Sequence, residues 1–119
     1  MHATYEQLPM SIADKLENGN GTIEIKEIIP EGHRPENCER FSIVTLNRRC
    51  SIGTHKLLGK QVFVSVLSGE VISEHQGSFV VLKEGDMLKT SNGSESRFAN
   101  IGKLPCVLLV CSFYDEPAK

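Results

Sequence analysis

At 119 residues, 39% of them hydrophobic and 24% charged, the chain is sized for one domain that buries its core without staples. A net charge of −2, with Arg48-Arg49 the only adjacent basic pair, excludes the clustered Lys and Arg on which phosphate-backbone affinity rests, so no nucleic-acid partner is expected. No stretch approaches the ~20 apolar residues that cross a bilayer, so no membrane partner is expected either.

The first predicted element is a short helix over residues 11–18, with Ser11 as N-cap and Asp14 three residues on in a weak capping box. Gly19-Asn20-Gly21 would end it. Residues 22–28 alternate apolar with polar, the period of a half-buried strand, until Pro30, Gly32 and Pro35 break the run. Residues 41–46 and 61–67 are further strands, the second closed by Ser68-Gly69. Residues 71–73 and 79–82 flank His75-Gln76-Gly77, which reads as a hairpin loop. A turn at Gly85-Asp86, a short strand over 87–90, a turn at Asn92-Gly93 and a strand over 96–100 follow. Pro105 opens the last run, 106–114. It carries Cys106 and Cys111, which suit small buried hydrophobes. With Cys38 and Cys50 they make four cysteines and no C-x-x-C pair. Free thiols in a reducing cytoplasm are expected, since no secretory signal is evident. Short strands spaced by glycine turns indicate an all-β sandwich or barrel. The expected organisation is an N-terminal extension over 1–21, a barrel over 22–116 and a tail over 117–119.

The stretch Val62-Phe63-Val64-Ser65-Val66-Leu67-Ser68-Gly69-Glu70, followed by Leu82-Lys83-Glu84-Gly85-Asp86, resembles the cupin family. Its fold is a double-stranded β-helix, or jelly-roll barrel. The family carries two motifs, G-x5-H-x-H-x3-4-E-x6-G and G-x5-P-x-G-x2-H-x3-N. In the second, Gly85, Gly93 and Asn100 match, while Ser91 replaces the proline and Ser96 the histidine. In the first, His55 takes the first histidine position and Gly69 the closing glycine. Leu57 replaces the second histidine, Gln61 or Val62 the glutamate, and Arg49 the opening glycine. Glycines serve the backbone and speak for fold; histidines and glutamate serve a metal and speak for chemistry.

A catalytic metal needs about three nitrogen, oxygen or thiolate ligands. The motif positions offer His55, with Gln61 and Ser96 as weak neutral donors and Leu57 as none; Cys50 joins only if its strand faces inward. No cofactor is favoured; a divalent iron, manganese, nickel or zinc at His55 is the alternative that the resemblance implies. His75, in its expected turn, would be held away from the interior. The family pattern implies a lining of His55, Leu57, Val62, Val64, Val66, Ser96 and Phe98, with Gln61 or Asn100 as further polar points. A small-molecule pocket has that balance, and so does a filled barrel. Arg40 and Arg97 are lone cations, at a rim or simply on the surface. The family also implies a homodimer, with the segment 22–29 as the exposed edge that invites pairing.

A narrower resemblance is to metal-free sugar-nucleotide 3,4-ketoisomerases, a cupin branch. It rests on His55-Lys56-Leu57-Leu58-Gly59-Lys60-Gln61-Val62 and on the final strand ending in Tyr114-Asp115-Glu116. There His55 would act as acid and base, with Tyr114 as a second proton source. Three readings stand open: a metal-free small-molecule binding module; an enzyme, either an isomerase or epimerase or a metal-dependent oxygenase with a reduced ligand set; and a filled barrel working through its surface.

Overall fold

The computed structural model describes residues 2–16, 19–75, 77–91 and 93–115, with the side chains at 54–56 outside the described set. Ten strands are described: β1 (Met10–Asp14), β2 (Thr22–Glu27), β3 (Cys38–Leu46), β4 (Ser51–Lys56), β5 (Lys60–Ser68), β6 (Glu70–His75), β7 (Ser78–Lys83), β8 (Met87–Thr90), β9 (Glu95–Ala99) and β10 (Cys106–Tyr114). They form a six-stranded sheet, β1-β2-β3-β10-β5-β8, and a four-stranded sheet, β4-β9-β6-β7. Every pairing is antiparallel. This is the expected all-β jelly roll. Among the described residues no helix is long and apolar enough to cross a membrane.

Alternation builds the core. Ile23 and Ile25 on β2, Val44 and Leu46 on β3, Val64 and Val66 on β5 and Leu108 on β10 point inward from the large sheet. Val71, Leu82 and Phe98 meet them from the small one. β10 lies between β3 and β5, so Leu108 faces both Val44 and Val66 in register. A fully buried leucine of this kind contributes roughly 2–3 kcal/mol. The turn after β5 needs its glycine: Gly69 has φ +80, and a Cβ there would lie 2.6 Å from the Pro105 carbonyl oxygen.

One end of the barrel is closed by Asn100. Its Nδ2 donates to the carbonyls of Leu46 (2.8 Å) and Leu104 (2.9 Å), and its Oδ1 accepts from Gly102 N–H (2.9 Å). The side chain is fully buried and committed to backbone, so Asn100 is a structural lock rather than a polar point of a pocket.

Three expectations are corrected. The helix over 11–18 is absent across its described part: residues 10–14 are a strand, running from Met10 opposite Lys26 to Asp14 opposite Thr22. Residues 17 and 18 lie outside the described set. An eight-residue helix is marginal by itself, whereas the open edge of β2 offers a complete ladder of backbone partners. The helical turn that does form is a 3-10 turn at Tyr5–Gln7. Second, β2 is not the sheet edge, because β1 covers it. Third, His75 is the last residue of β6 and not part of the turn.

Candidate functional site

The site forms where Ser96 enters the barrel. Ser96 and Phe98 are the inward residues of β9. Across that strand, Ser96 stands in register with His75 on β6 and with His55 on β4. One cross-strand row therefore reads His55, Ser96, His75. The β4 side reaches this register through an irregularity between Ile52 and His55, as a β-bulge produces. The side chain of His55 lies outside the described set, so its register position is what is known of it.

His75 Nδ1 lies 2.9 Å from Ser96 Oγ, and Ser96 Oγ lies 2.7 Å from Thr90 Oγ1. Thr90 ends β8 in the large sheet, so this hydroxyl bond ties the two sheets together at the open end. Ser96 and Thr90 are both buried. A buried hydroxyl must keep its partners or lose about 1–3 kcal/mol, and each of these three groups supplies the next. The single Ser96 proton sets the direction. If Ser96 donates to Thr90, it accepts Nδ1–H and leaves the His75 Nε2 as a base. If it donates to Nδ1, Nε2 carries a proton to give. Leu57, Val62 and Phe98 form the apolar wall beside Thr90 and Ser96, around a cavity of about 30 Å³. That is room for about one water.

Of the site residues expected from sequence, Leu57, Val64, Ser96 and Phe98 are buried, and Leu57, Ser96 and Phe98 share the cavity wall. Gln61 does not join them. It stands opposite Phe113 and shares its face of β5 with Phe63, whose ring meets the Phe113 ring edge-on at 6.0 Å. Val62 and Val64 occupy the other face, since neighbouring strand residues point opposite ways. Tyr114 ends β10 opposite Lys60, is 36% exposed, and is not linked to Ser96 by any described bond. His75 and Thr90 were missed by sequence reading. The signal was the period of two through Val71, Ser73 and His75, which keeps His75 on the inward face once the strand runs to residue 75.

Charged groups cluster farther along the large sheet. Glu27 accepts from Ser42 (2.5 Å) and pairs with Arg34 (3.1 Å) and Arg40 (3.8 Å), so Arg40 is not a lone cation. Glu39 pairs with Lys60 (2.9 Å) and accepts from Ser112 (2.9 Å). Burial alone would push the Glu39 carboxyl up. The Lys60 and Ser112 hydrogen bonds, with the charges of Lys60 and Arg40, outweigh it and hold its pKa below the ordinary carboxylate value.

The resemblance to cupins implies a metal centre, and the donors at the motif positions do not fit the usual one. Leu57 has no donor atom, Gln61 lies on the opposite face, and Ser96 Oγ is already bonded to Thr90 and His75. Among the described residues no three His, Cys, Asp or Glu side chains come together as a ligand set.

No family model and no curated protein matches the sequence. Solved structures do. A predicted oxalate decarboxylase from Thermotoga maritima superposes with a TM-score of 0.91 at 21% identity, covering 96% of this chain and 99% of that one. A sugar phosphate isomerase from a cupin superfamily, from Silicibacter pomeroyi, reaches 0.79 at 15% identity over 95% of this chain and 75% of that one. Drosophila melanogaster CENP-C bound to CAL1 reaches 0.70 at 14% identity over 92% and 82%. At such identities the likeness establishes the fold: the chain is a cupin-type barrel.

Proposed function

We propose that this cupin-type barrel is a small-molecule-binding module that works without the usual cupin metal centre. The observation that carries the reading is the pair of buried hydroxyls, Thr90 and Ser96, that share the cavity wall with Leu57, Val62 and Phe98 and are extended by the half-buried His75 behind Ser96. A few convergent polar groups on an apolar lining are what a ligand pocket uses to fix orientation. The ligand is small and carries a hydroxyl or carbonyl that replaces a partner of Ser96. Admitting more than a water requires Leu57 and Val62 to move.

The test is a thermal-shift panel of small hydroxy and carbonyl compounds on the native chain and on Ser96→Ala. A ligand that binds only the folded state raises the midpoint. The expected result is a compound that stabilises the native chain and not the variant. No such compound in the panel would count against the reading. Elemental analysis checks the metal. A full equivalent of iron, manganese, nickel or zinc, lost in His55→Ala, overturns the metal-free part.

A second reading is favoured by the cavity volume itself. About 30 Å³ is an order of magnitude below the roughly 300 Å³ of small ligand pockets, which suits a filled barrel acting through its surface. CENP-C, of similar fold, is a protein bound to CAL1. The isomerase reading also gains something: His75 supplies the second imidazole that the motif lacks. Stabilisation by thymidine nucleotides would favour it. A homodimer remains part of the proposal. Its pairing edge moves from β2 to β1, where Met10 and Ile12 are exposed; light scattering on a Met10→Lys, Ile12→Lys variant tests that edge.

A further inference from the structure

A second concavity lies outside the barrel interior. It measures about 430 Å³ and lies where the turn before β4 meets the end of β9, over the buried Cys50 and Asn100. Arg48, Arg49 and Arg97 line it, with Asn20 and Ser51 as polar neighbours and Ile101 as an apolar one. We infer that this concavity binds the phosphate group of a small phosphorylated molecule.

Three observations support the assignment. The first is charge. The chain is net negative, yet no acidic side chain lines this concavity, and none of the three arginines is in an ion pair among the described residues. Glu74, the register partner of Arg97 across β6 and β9, is the nearest competitor by register and closes no ion pair with it. Guanidinium forks match phosphate oxygens two at a time.

The second is the backbone of Arg49. The residues at the four glycine positions of the cupin motifs are Arg49, Gly69, Gly85 and Gly93, and all four have left-handed backbone, with φ +67, +80, +91 and +85. Glycine adopts that conformation freely, and a residue with a Cβ does so only under strain. This chain holds an arginine where the backbone favours glycine, which is understandable if the guanidinium is what the position is for.

The third is preorganisation. The turn over 47–50 is closed by Cys50 N–H on the Asn47 carbonyl (3.0 Å). It is tied to the barrel end by Arg49 N–H on the Asn100 carbonyl and Asn100 N–H on the Cys50 carbonyl, both 2.9 Å. Asn100 is locked in turn by its own side chain. The two arginines therefore stand on a fixed frame, which lowers the cost of ordering them on a ligand. Ile101 and Ala99 offer apolar surface to the rest of the molecule. Arg97 alternates with Ser96 and Phe98 and so points away from the barrel interior, while the buried Cys50 and Asn100 form the floor of the concavity.

Amide NMR and calorimetric titrations with inorganic phosphate, glucose 6-phosphate and glucose test this. The expected result is shifts at Arg48, Arg49 and Arg97 with both phosphates and none with glucose. Tighter binding of the ester assigns the site to a phosphorylated metabolite, and equal binding assigns it to free phosphate. Arg49→Gly is the decisive variant, because it suits the backbone while removing the guanidinium. It should hold or raise the thermal midpoint and weaken binding at least tenfold. No binding of either phosphate overturns the inference. So does unchanged binding in Arg49→Gly, or an equal loss in Lys83→Ala, a surface cation elsewhere.

Discussion

The two ends of the barrel use polar side chains in opposite ways. At the closed end Asn100 spends every donor and acceptor on backbone: the carbonyls of Leu46 and Leu104 and the N–H of Gly102. At the open end Thr90, Ser96 and His75 bond to one another, side chain to side chain. A ligand cannot replace a backbone lock without unmaking the fold. It can replace a hydroxyl's partner by rotating a side chain. The difference separates the part of the motif that holds the barrel from the part that is available for chemistry.

The largest effect is expected at the closed end. Asn100→Ala leaves three backbone groups without their partner and should cost about 2–4 kcal/mol, read by urea unfolding. The same variant should expose Cys106, which is fully buried there opposite Leu46. Burial, with the Glu70 charge, raises the Cys106 thiol pKa to about 11, so in the native chain this thiol should resist disulfide exchange at neutral pH. If Asn100→Ala unfolds no more easily than the native chain, the lock is misassigned.

Ser96→Ala, at the open end, should cost less, about 1–2 kcal/mol. It strands two groups rather than three, the buried Thr90 and the half-buried His75. A loss equal to that of Asn100→Ala would erase the contrast between the ends.

Acid sensitivity should come from the large sheet. The Glu39 carboxyl has a lowered pKa in the folded chain, so its contribution is complete above the ordinary carboxylate pKa and is lost as pH falls through the lowered folded value. Glu39→Gln should flatten that acid limb of the stability curve. An unchanged limb would place the acid sensitivity elsewhere.

The smallest effect has the opposite sign. Ser73 is fully buried and its hydroxyl has no partner among the described residues. Ser73→Ala should be neutral or stabilising by up to about 1 kcal/mol; a clear loss would mean that a water or ligand occupies that hydroxyl.

How much of this was legible follows the same division. Alternation located β2, because one buried face imposes a period of two, and apolar runs bounded by turn residues located β3, β5 and β10 to within a few residues. Gly69, Gly85, Gly93 and Asn100 pointed to the barrel because they answer to backbone geometry. The helix over 11–18 failed because its pattern was weak and β2 offered a ladder. The open end was harder to read. His75 was misplaced by the length of a turn, and Thr90 carried no local signal. Gln61 was assigned inward by motif position although its neighbours Val62 and Val64 own that face. The arginine concavity unites residues 48, 49 and 97, which only the pairing of β4 with β9 brings together.

The account stands or falls on the open end as a binding site, and amide NMR of the native chain titrated with a library of small polar fragments reads it most directly. It predicts at least one fragment whose shifts centre on Leu57, Ser96 and Phe98, abolished by Ser96→Ala and retained by Arg49→Gly. A library that leaves those amides unmoved, while the barrel remains folded, contradicts it and leaves a filled barrel.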